Sequence, residues 1–341
     1  MSSDSKNVVT MAHGSGGLAM QQLIEQLFLQ AFANQALDER EDQARLSLAE
    51  MTALGDRLAF STDSYVIDPI FFPGGNIGKL AVCGTVNDVA VSGAVPKYLS
   101  CGFILEEGLP LSDLQIIVES MAATAKAAGV QIVTGDTKVV QRGAADKVFI
   151  NTAGIGVIPT EIHWGAQQIQ AGDKVIVSGT LGDHGATILN LREQLGLEGQ
   201  LSSDCAVLTP IIEPLRDIDG VRALRDATRG GVNAILHEFA QASGCGISIN
   251  EGDLPVSSAV RGVCELLGLE PLNFANEGKL VIVVKPDAEQ QVLAALHQHP
   301  LGVNAKTIGC VTENKQVKLV GIFGASRLLD LPHSEPLPRI C

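Results

Sequence analysis

Aromatic side chains are scarce in this chain. One tryptophan, two tyrosines and ten phenylalanines make up 4% of its 341 residues. Proteins that stack single-stranded nucleic acid need aromatic platforms and a basic groove. Neither is present: no basic run occurs, and the net charge is −14. A nucleic-acid partner is therefore not expected. No apolar stretch approaches the length of a membrane span, so no membrane partner is expected. The seven cysteines, at 83, 101, 205, 245, 264, 310 and 341, include no C-x-x-C pair and no His/Cys ladder. That pattern argues against a structural zinc site. The first seven residues lack the charged-then-apolar order of a secretory signal, so the expected compartment is the cytoplasm. The P-loop pattern and the strand-following G-x-G-x-x-G are both missing, as is any short-period repeat.

What is present is aliphatic. Hydrophobic residues reach 46%, carried mainly by Ala, Val, Leu, Ile and Gly. With this length, two domains and a sizeable core are expected, of the kind an α/β enzyme builds. Six cysteines lie in or beside apolar segments and read as small core residues. Cys341 is different. It follows Pro332, Pro336 and Pro338 on a terminal stretch that can be neither a core helix nor a central strand. It reads as a thiol on a tether. From about Leu328 that tether reaches ~45 Å at most, at ~3.3 Å per residue.

Residues 18–32 place Leu23, Ile24, Leu27, Phe28 and Phe32 on one helical stripe. Residues 39–43 are charged and expected to be exposed. Residues 58–62 read as a strand delivering Asp63, and residues 77–92 as a helix carrying Asn87 and Asp88. A helix over 112–128 is expected, with Ser112 as its N-cap and Gly129 as its stop. Strands over 130–134 and 147–158 follow, the first ending at Gly135-Asp136-Thr137-Lys138. Residues 159–172 make a linker. The second half opens with a strand over 175–178. It then shows a helix over 232–243 stopped by Gly244, and strands over 247–249 and 279–284.

Asp63, Asp88 and Asp136 each sit among small residues. Asp63 and Asp136 are placed at strand ends by this reading, where an aspartate is also a common turn or cap residue. The same placement suits Mg²⁺, which takes carboxylates plus phosphate oxygens. Lys138 adds a positive charge for a phosphate. Asp88 is the most informative of the three, because a charge inside a small, apolar helix is costly unless it is used. Glycine-rich segments occur at residues 13–17, 72–76, 182–185 and 228–231. The first and last run straight into helices, a geometry that turns backbone N–H groups towards an anion. Tight turns would explain the same glycines.

Read in order, Ser61-Thr62-Asp63-Ser64, Asn87-Asp88-Val89-Ala90, Thr134-Gly135-Asp136-Thr137-Lys138, Asp226-Ala227-Thr228-Arg229-Gly230-Gly231, Asn276-Glu277-Gly278 and Pro338-Arg339-Ile340-Cys341 form a recognisable set. With these motifs the chain resembles the HypE family of hydrogenase maturation factors. That family lies within the ATP-binding superfamily of aminoimidazole ribonucleotide synthetase, selenophosphate synthetase and thiamine-monophosphate kinase. The resemblance runs from about His13 to Cys341. It implies an α+β fold. A domain over 1–160 would bind ATP and form a barrel with the sheet of a second copy in a homodimer. An α/β domain over 161–327 would pack on it, and a mobile tail over 328–341 would end in the carrier cysteine.

The resemblance also implies ATP and Mg²⁺ as cofactors. A HypF-like carbamoyltransferase would load a carboxamide on Cys341, ATP-dependent dehydration would turn it into a thiocyanate, and a HypC–HypD complex would receive the cyano group on iron. In this reading Asp63, Asp88 and Asp136 hold the metal, and Lys138 neutralises phosphate. Asn87, Gly135, Thr137, Thr228, Arg229, Gly230 and Asn276 line the nucleotide. Glu277 is the expected base at the amide nitrogen, with His13 and His184 as lesser candidates. A competing reading is a small-molecule kinase or synthetase of the same superfamily, whose turnover would not depend on Cys341. A non-enzymatic ATP-dependent scaffold is a third.

Overall fold

In a computed structural model of the protein, residues 7–197, 199–332 and 339–341 are described here. Part of the tail reading, residues 333–338, lies outside them. Two sheets organise the chain. The first has four strands, β1 (Arg57–Tyr65), β4 (Val95–Glu106), β5 (Gln131–Val140) and β6 (Val148–Ile158), in the order β1-β6-β4-β5. A short hairpin, β2 (Phe71–Phe72) with β3 (Gly75–Asn76), projects beside it. The second sheet has seven strands, β7 (Lys174–Val177), β8 (Val221–Asp226), β9 (Gly246–Asn250), β10 (Leu280–Val284), β11 (Lys306–Thr312), β12 (Val317–Val320) and β13 (Ser326–Leu328). Their order is β13-β12-β9-β11-β7-β10-β8.

The result is a mixed helix-and-sheet protein of two domains. Both sheets are mixed: in the first, β4 and β5 run parallel on either side of the helix Leu111–Ala128, and the other ladders are antiparallel. In the second, β12 pairs with β9 in parallel and the remaining ladders are antiparallel. The expected α/β character of the second half is thus corrected to α+β. The apolar run in β10 reflects burial on both faces. Val281 and Val283 face one core with the Gly231–Ser243 helix, while Leu280, Ile282 and Val284 face another with Val292 and Leu296.

Two aspartates expected at strand ends lie inside strands. Asp63 is the seventh residue of β1 and Asp136 the sixth of β5. These are the two edge strands of the open first sheet, where polar side chains reach solvent without breaking the ladder. The helix over 18–32 forms, with a π turn at Ile24–Phe28 between α-helical pieces. The helix Leu111–Ala128 is capped by Pro110 rather than Ser112, and stops at Gly129 in the left-handed conformation as expected. The helix Ile77–Ala90 runs through the middle of the first domain and is buried on nearly every side. Gly84 is required there, because a Cβ at that position would stand 2.3 Å from the Tyr65 hydroxyl. Among the described residues no helix is long and apolar enough to cross a membrane.

Candidate functional site

Four carboxylates converge where β1, the buried helix and the end of β8 meet. Ser61, Asp63 and Tyr65 alternate onto the face of β1 that looks at the helix. The Ser61 hydroxyl donates to the Asp88 carboxylate at 2.7 Å, and the Tyr65 hydroxyl lies 3.2 Å from that of Thr85. Asp226 ends β8. Burial, with the nearby charge of Asp88, pushes its carboxyl up to about 7. Burial likewise raises Asp88, with Asp63 adding to the effect. Arg229 approaches Asp63 at 3.9 Å and brings positive charge to this edge.

Glu277 is the deepest member, 3% exposed, and its Oε1 has no hydrogen-bond partner. A buried acceptor left unsatisfied is costly and marks a place where a donor is expected to arrive. Burial first, then the neighbouring Cys205, Asp204, Asp226 and Asp63, hold its carboxyl well above the usual range. The loop carrying it is fixed from three directions. Asp204 accepts the N–H groups of Glu277 and Gly278, both at 3.1 Å, and pairs with Lys279 at 3.3 Å. Asn276 accepts from the Gly182 amide and donates to the carbonyls of Ala227 and Phe274. Gly278 has no room for a side chain, since a Cβ would lie 2.0 Å from the Asp204 carbonyl.

The chain's last residues dock on the segment that follows Tyr65 and on His184. Arg339 takes a left-handed backbone conformation (φ 58°) and turns the chain inward. Ile340 is 1% exposed and joins the first-domain core, against which Cys341 also packs. Val66, next to Tyr65, donates its amide to the backbone carbonyl oxygen of Cys341 at 3.0 Å. The Asp68 amide reaches the Arg339 carbonyl at 3.4 Å. Arg192 donates to the carbonyls of Asp68 and Arg339, and the Arg339 guanidinium pairs with Asp146 at 2.6 Å.

The remaining expected residues distribute as follows. Asn87 bonds the Ala206 carbonyl and the Leu208 amide, tying the buried helix to the second domain. Thr228 and Gly230 form the turn into the Gly231–Ser243 helix beside Asn276. Gly135, Asp136, Thr137 and Lys138 lie elsewhere. Register places Gly135 opposite Cys101, Cys101 opposite Thr152, and Thr152 opposite Asp63. That separation is three strand spacings, roughly 14 Å. Asp136 is held by Lys138 at 2.6 Å on the exposed edge. Beside it is an apolar crevice lined by Ile24, Phe28, Ile132 and Thr134. A single chain therefore does not gather Asp63, Asp88 and Asp136 around one ion, and no three-ligand metal cluster occurs among the described residues.

His13 caps its own turn, with Nδ1 accepting the Thr10 amide, and its neighbour Gly14 packs against Val139 of β5. His184 is fully buried. Its two nitrogens are engaged by Ser203 and by the Ile340 carbonyl, each at 2.7 Å, which leaves neither for proton abstraction. Asp204, Ser203 and Arg192 carry no motif and gave no signal in the sequence. Asp226 stood in a quoted motif but received no role. Buried cysteines meet the core expectation at 83, 101, 205 and 264, while Cys245 and Cys310 are half-buried. Burial pushes the Cys264 thiol up to about 11.

The two halves of this architecture match family models of the AIR synthase related proteins. The N-terminal domain model covers residues 41–158 and the C-terminal domain model residues 170–322. The fold is thus that of the AIR synthase-related class. Within it, the chain is 73% identical over 335 residues to carbamoyl dehydratase HypE of Escherichia coli (strain K12), covering 98% of this chain and all of that protein. The chain belongs to the HypE family of carbamoyl dehydratases. A crystal structure of a hydrogenase maturation protein HypE in complex with ATP superposes with a TM-score of 0.92 at 46% identity, covering 97% of this chain and 99% of that one. A HypE chain from a HypE–HypF complex gives 0.79 at 45% identity, over 91% and 99% of the two chains.

Proposed function

We propose that the protein uses ATP to dehydrate a carboxamide carried on its own Cys341 to a thiocyanate, the source of cyanide ligands for a nickel–iron hydrogenase centre. The observation that carries this reading is the docking of Ile340 and Cys341 on Val66 and His184, whose neighbours Tyr65 and Ser203–Asp204 adjoin a buried glutamate whose Oε1 lacks a donor. A carboxamide brought by the thiol supplies N–H donors to that position. Oxygen is a poor leaving group from an amide. Transfer of the γ-phosphoryl of ATP to the amide oxygen, with loss of one N–H proton, gives an S-bound iminophosphate and ADP. Loss of the second N–H proton and cleavage of the C–O bond then release phosphate and leave the S–C≡N group. The sum is carboxamide plus ATP giving thiocyanate, ADP and phosphate. Glu277 is the residue placed to take a proton, and its raised affinity makes it a stronger base once ionised.

Mg²⁺ would reside with the phosphates. The donor set is all oxygen, as a hard cation requires, and two carboxylates plus phosphate oxygens suffice for this ion. Asp63 and Asp88 fit that role; when bound, the ion would supply charge neutralisation on the phosphates. Asp136 and Lys138 enter this reading through a second copy of the chain. The outer face of β1 supports such a homodimer. Leu58 is 60% and Phe60 69% exposed on an unpaired edge, the arrangement that a sheet closing into a barrel across two copies would cover. Gly135, Thr137, Thr228, Arg229 and Gly230 are then nucleotide-facing, while Asn87 and Asn276 position the loops around it. The division into 1–160, 161–327 and a carrier tail from 328 belongs to the same reading.

The proposed partners are a HypF-like carbamoyltransferase, which loads the thiol, and a HypC–HypD complex, which takes the cyano group in the cytoplasm. The test is ATP turnover by carbamoyl-loaded protein. Cys341→Ala should abolish phosphate release that depends on the carbamoyl donor. Turnover that persists in this variant would point instead to a diffusible substrate, as in a small-molecule kinase.

A further inference from the structure

Resting on that reading of Cys341 as the carrier, we infer that His184, held in orientation by Ser203, is the positioning residue that latches the carrier tail in its inward place. A carbonyl oxygen only accepts, so the His184 nitrogen facing Ile340 carries the proton and donates. The other ring nitrogen then accepts from the Ser203 hydroxyl. Ser203 is itself fixed, because its hydroxyl accepts the Cys205 amide at 3.1 Å and its own amide donates to the Pro73 carbonyl at 2.9 Å. The Phe72 ring packs edge-on against the imidazole, with centroids 5.4 Å apart. The ring orientation is therefore set by Ser203 and Phe72, outside the tail, and the Ile340 carbonyl selects the tautomer.

What it holds is the backbone of the residue before the carrier. Val66 and Asp68 hold Cys341 and Arg339 in the same way, through main-chain groups. The side chain of Ile340 is sunk in the core.

The latch is also coupled to the base. Ser203 precedes Asp204, the residue that clamps the amides of Glu277 and Gly278. One short segment thus sets the carrier from one side and the glutamate from the other. Loosening His184 should misplace the carboxamide relative to Glu277 without touching the loading step, which takes place with the tail outside.

Three variants and two readouts test this. In His184→Leu the donor is lost; in His184→Gln an N–H returns near the same place. Ile340→Ser releases the tail from its own end and leaves the body of the fold unchanged. The first readout, on protein without nucleotide or partner, is the rate at which a maleimide labels Cys341, located by peptide mass spectrometry. His184→Leu and Ile340→Ser should each raise it about tenfold, as expected for losing one buried hydrogen bond or one seated side chain. His184→Gln should restore much of the protection. The second readout is the split between carbamoylation by the transferase and ATP-dependent dehydration. His184→Leu and Ile340→Ser should load normally and dehydrate more slowly.

Unchanged labelling in His184→Leu, when Ile340→Ser labels faster, would overturn the latch. Faster labelling with undiminished dehydration would overturn the positioning role. If the wild-type protein loads but never dehydrates, the proposed function fails, while the labelling series still decides whether His184 holds the tail.

Discussion

At the residue scale the central group is Glu277. Burial keeps it protonated in the folded chain over a range in which it would ionise if unfolded. Its favourable contribution is therefore complete below the ordinary carboxylate pKa and is lost as the pH rises towards its elevated folded value. Glu277→Gln, which keeps the shape and cannot ionise, should be more stable than the wild type at pH ~8. The gap should close near pH ~4, where glutamate is protonated in both states. The same substitution should lower dehydration by at least ~10²-fold, the usual scale for a positioned base. Thermal unfolding across pH, alongside ATP-dependent turnover, checks both. A variant that lost stability at high pH would show that the carboxyl is ionised at rest. The importance of Glu277 was legible in the sequence through Asn276-Glu277-Gly278 lying before an apolar strand. The roles of His184 and Ser203 were not, because their meaning comes from a contact with residue 340, distant in sequence. Asp226 was hidden for a related reason: nothing local says that a strand-terminal aspartate will be enclosed by two others.

At the scale of elements, the glutamate loop depends on the Asp204–Lys279 pair. The lysine side chain is 9% exposed and the aspartate 3%. Removing one partner of a buried pair leaves the other uncompensated and typically costs 3–5 kcal/mol. The two amide donors to Asp204 offset part of this, so Lys279→Met is expected to cost about 3 kcal/mol. It should also reduce dehydration, since the Glu277 backbone loses its clamp. A shift in the denaturation midpoint with unchanged slope would measure the first. No shift would mean that the pair contributes little. Element identity was largely legible. Hydrophobic period gave the helix at 18–32, a small, apolar run indicated the one at 77–92, and Gly129 and Gly244 marked helix ends through their left-handed backbone. Strand ends were less legible: β1 and β5 continue past their aspartates because edge strands tolerate polar residues. The π turn at Ile24–Phe28 leaves no mark in an apolar stripe.

At the scale of the molecule, sequence pattern could indicate two domains but not the mainly antiparallel order of the second sheet, which depends on pairings far apart in the chain. Likewise, three aspartates in similar contexts suggested one metal site, yet register sets Asp136 away from the other two within a chain. The proposed account resolves this through a second copy. Phe60→Glu should place a charge on the exposed face of β1, convert the protein to a monomer and abolish ATP-dependent dehydration, while leaving the fold intact. Light scattering with circular dichroism checks this; a monomeric variant with full activity would confine the site to one chain. The central claim, that ATP is spent on a carboxamide held by Cys341, is tested most directly by mass spectrometry of the C-terminal peptide. The protein is incubated with the carbamoyltransferase and carbamoyl phosphate, and then with MgATP. The account predicts a carboxamide adduct on Cys341 that loses the mass of one water only after MgATP is added. An adduct that stays hydrated, or no adduct with an active transferase, would contradict it.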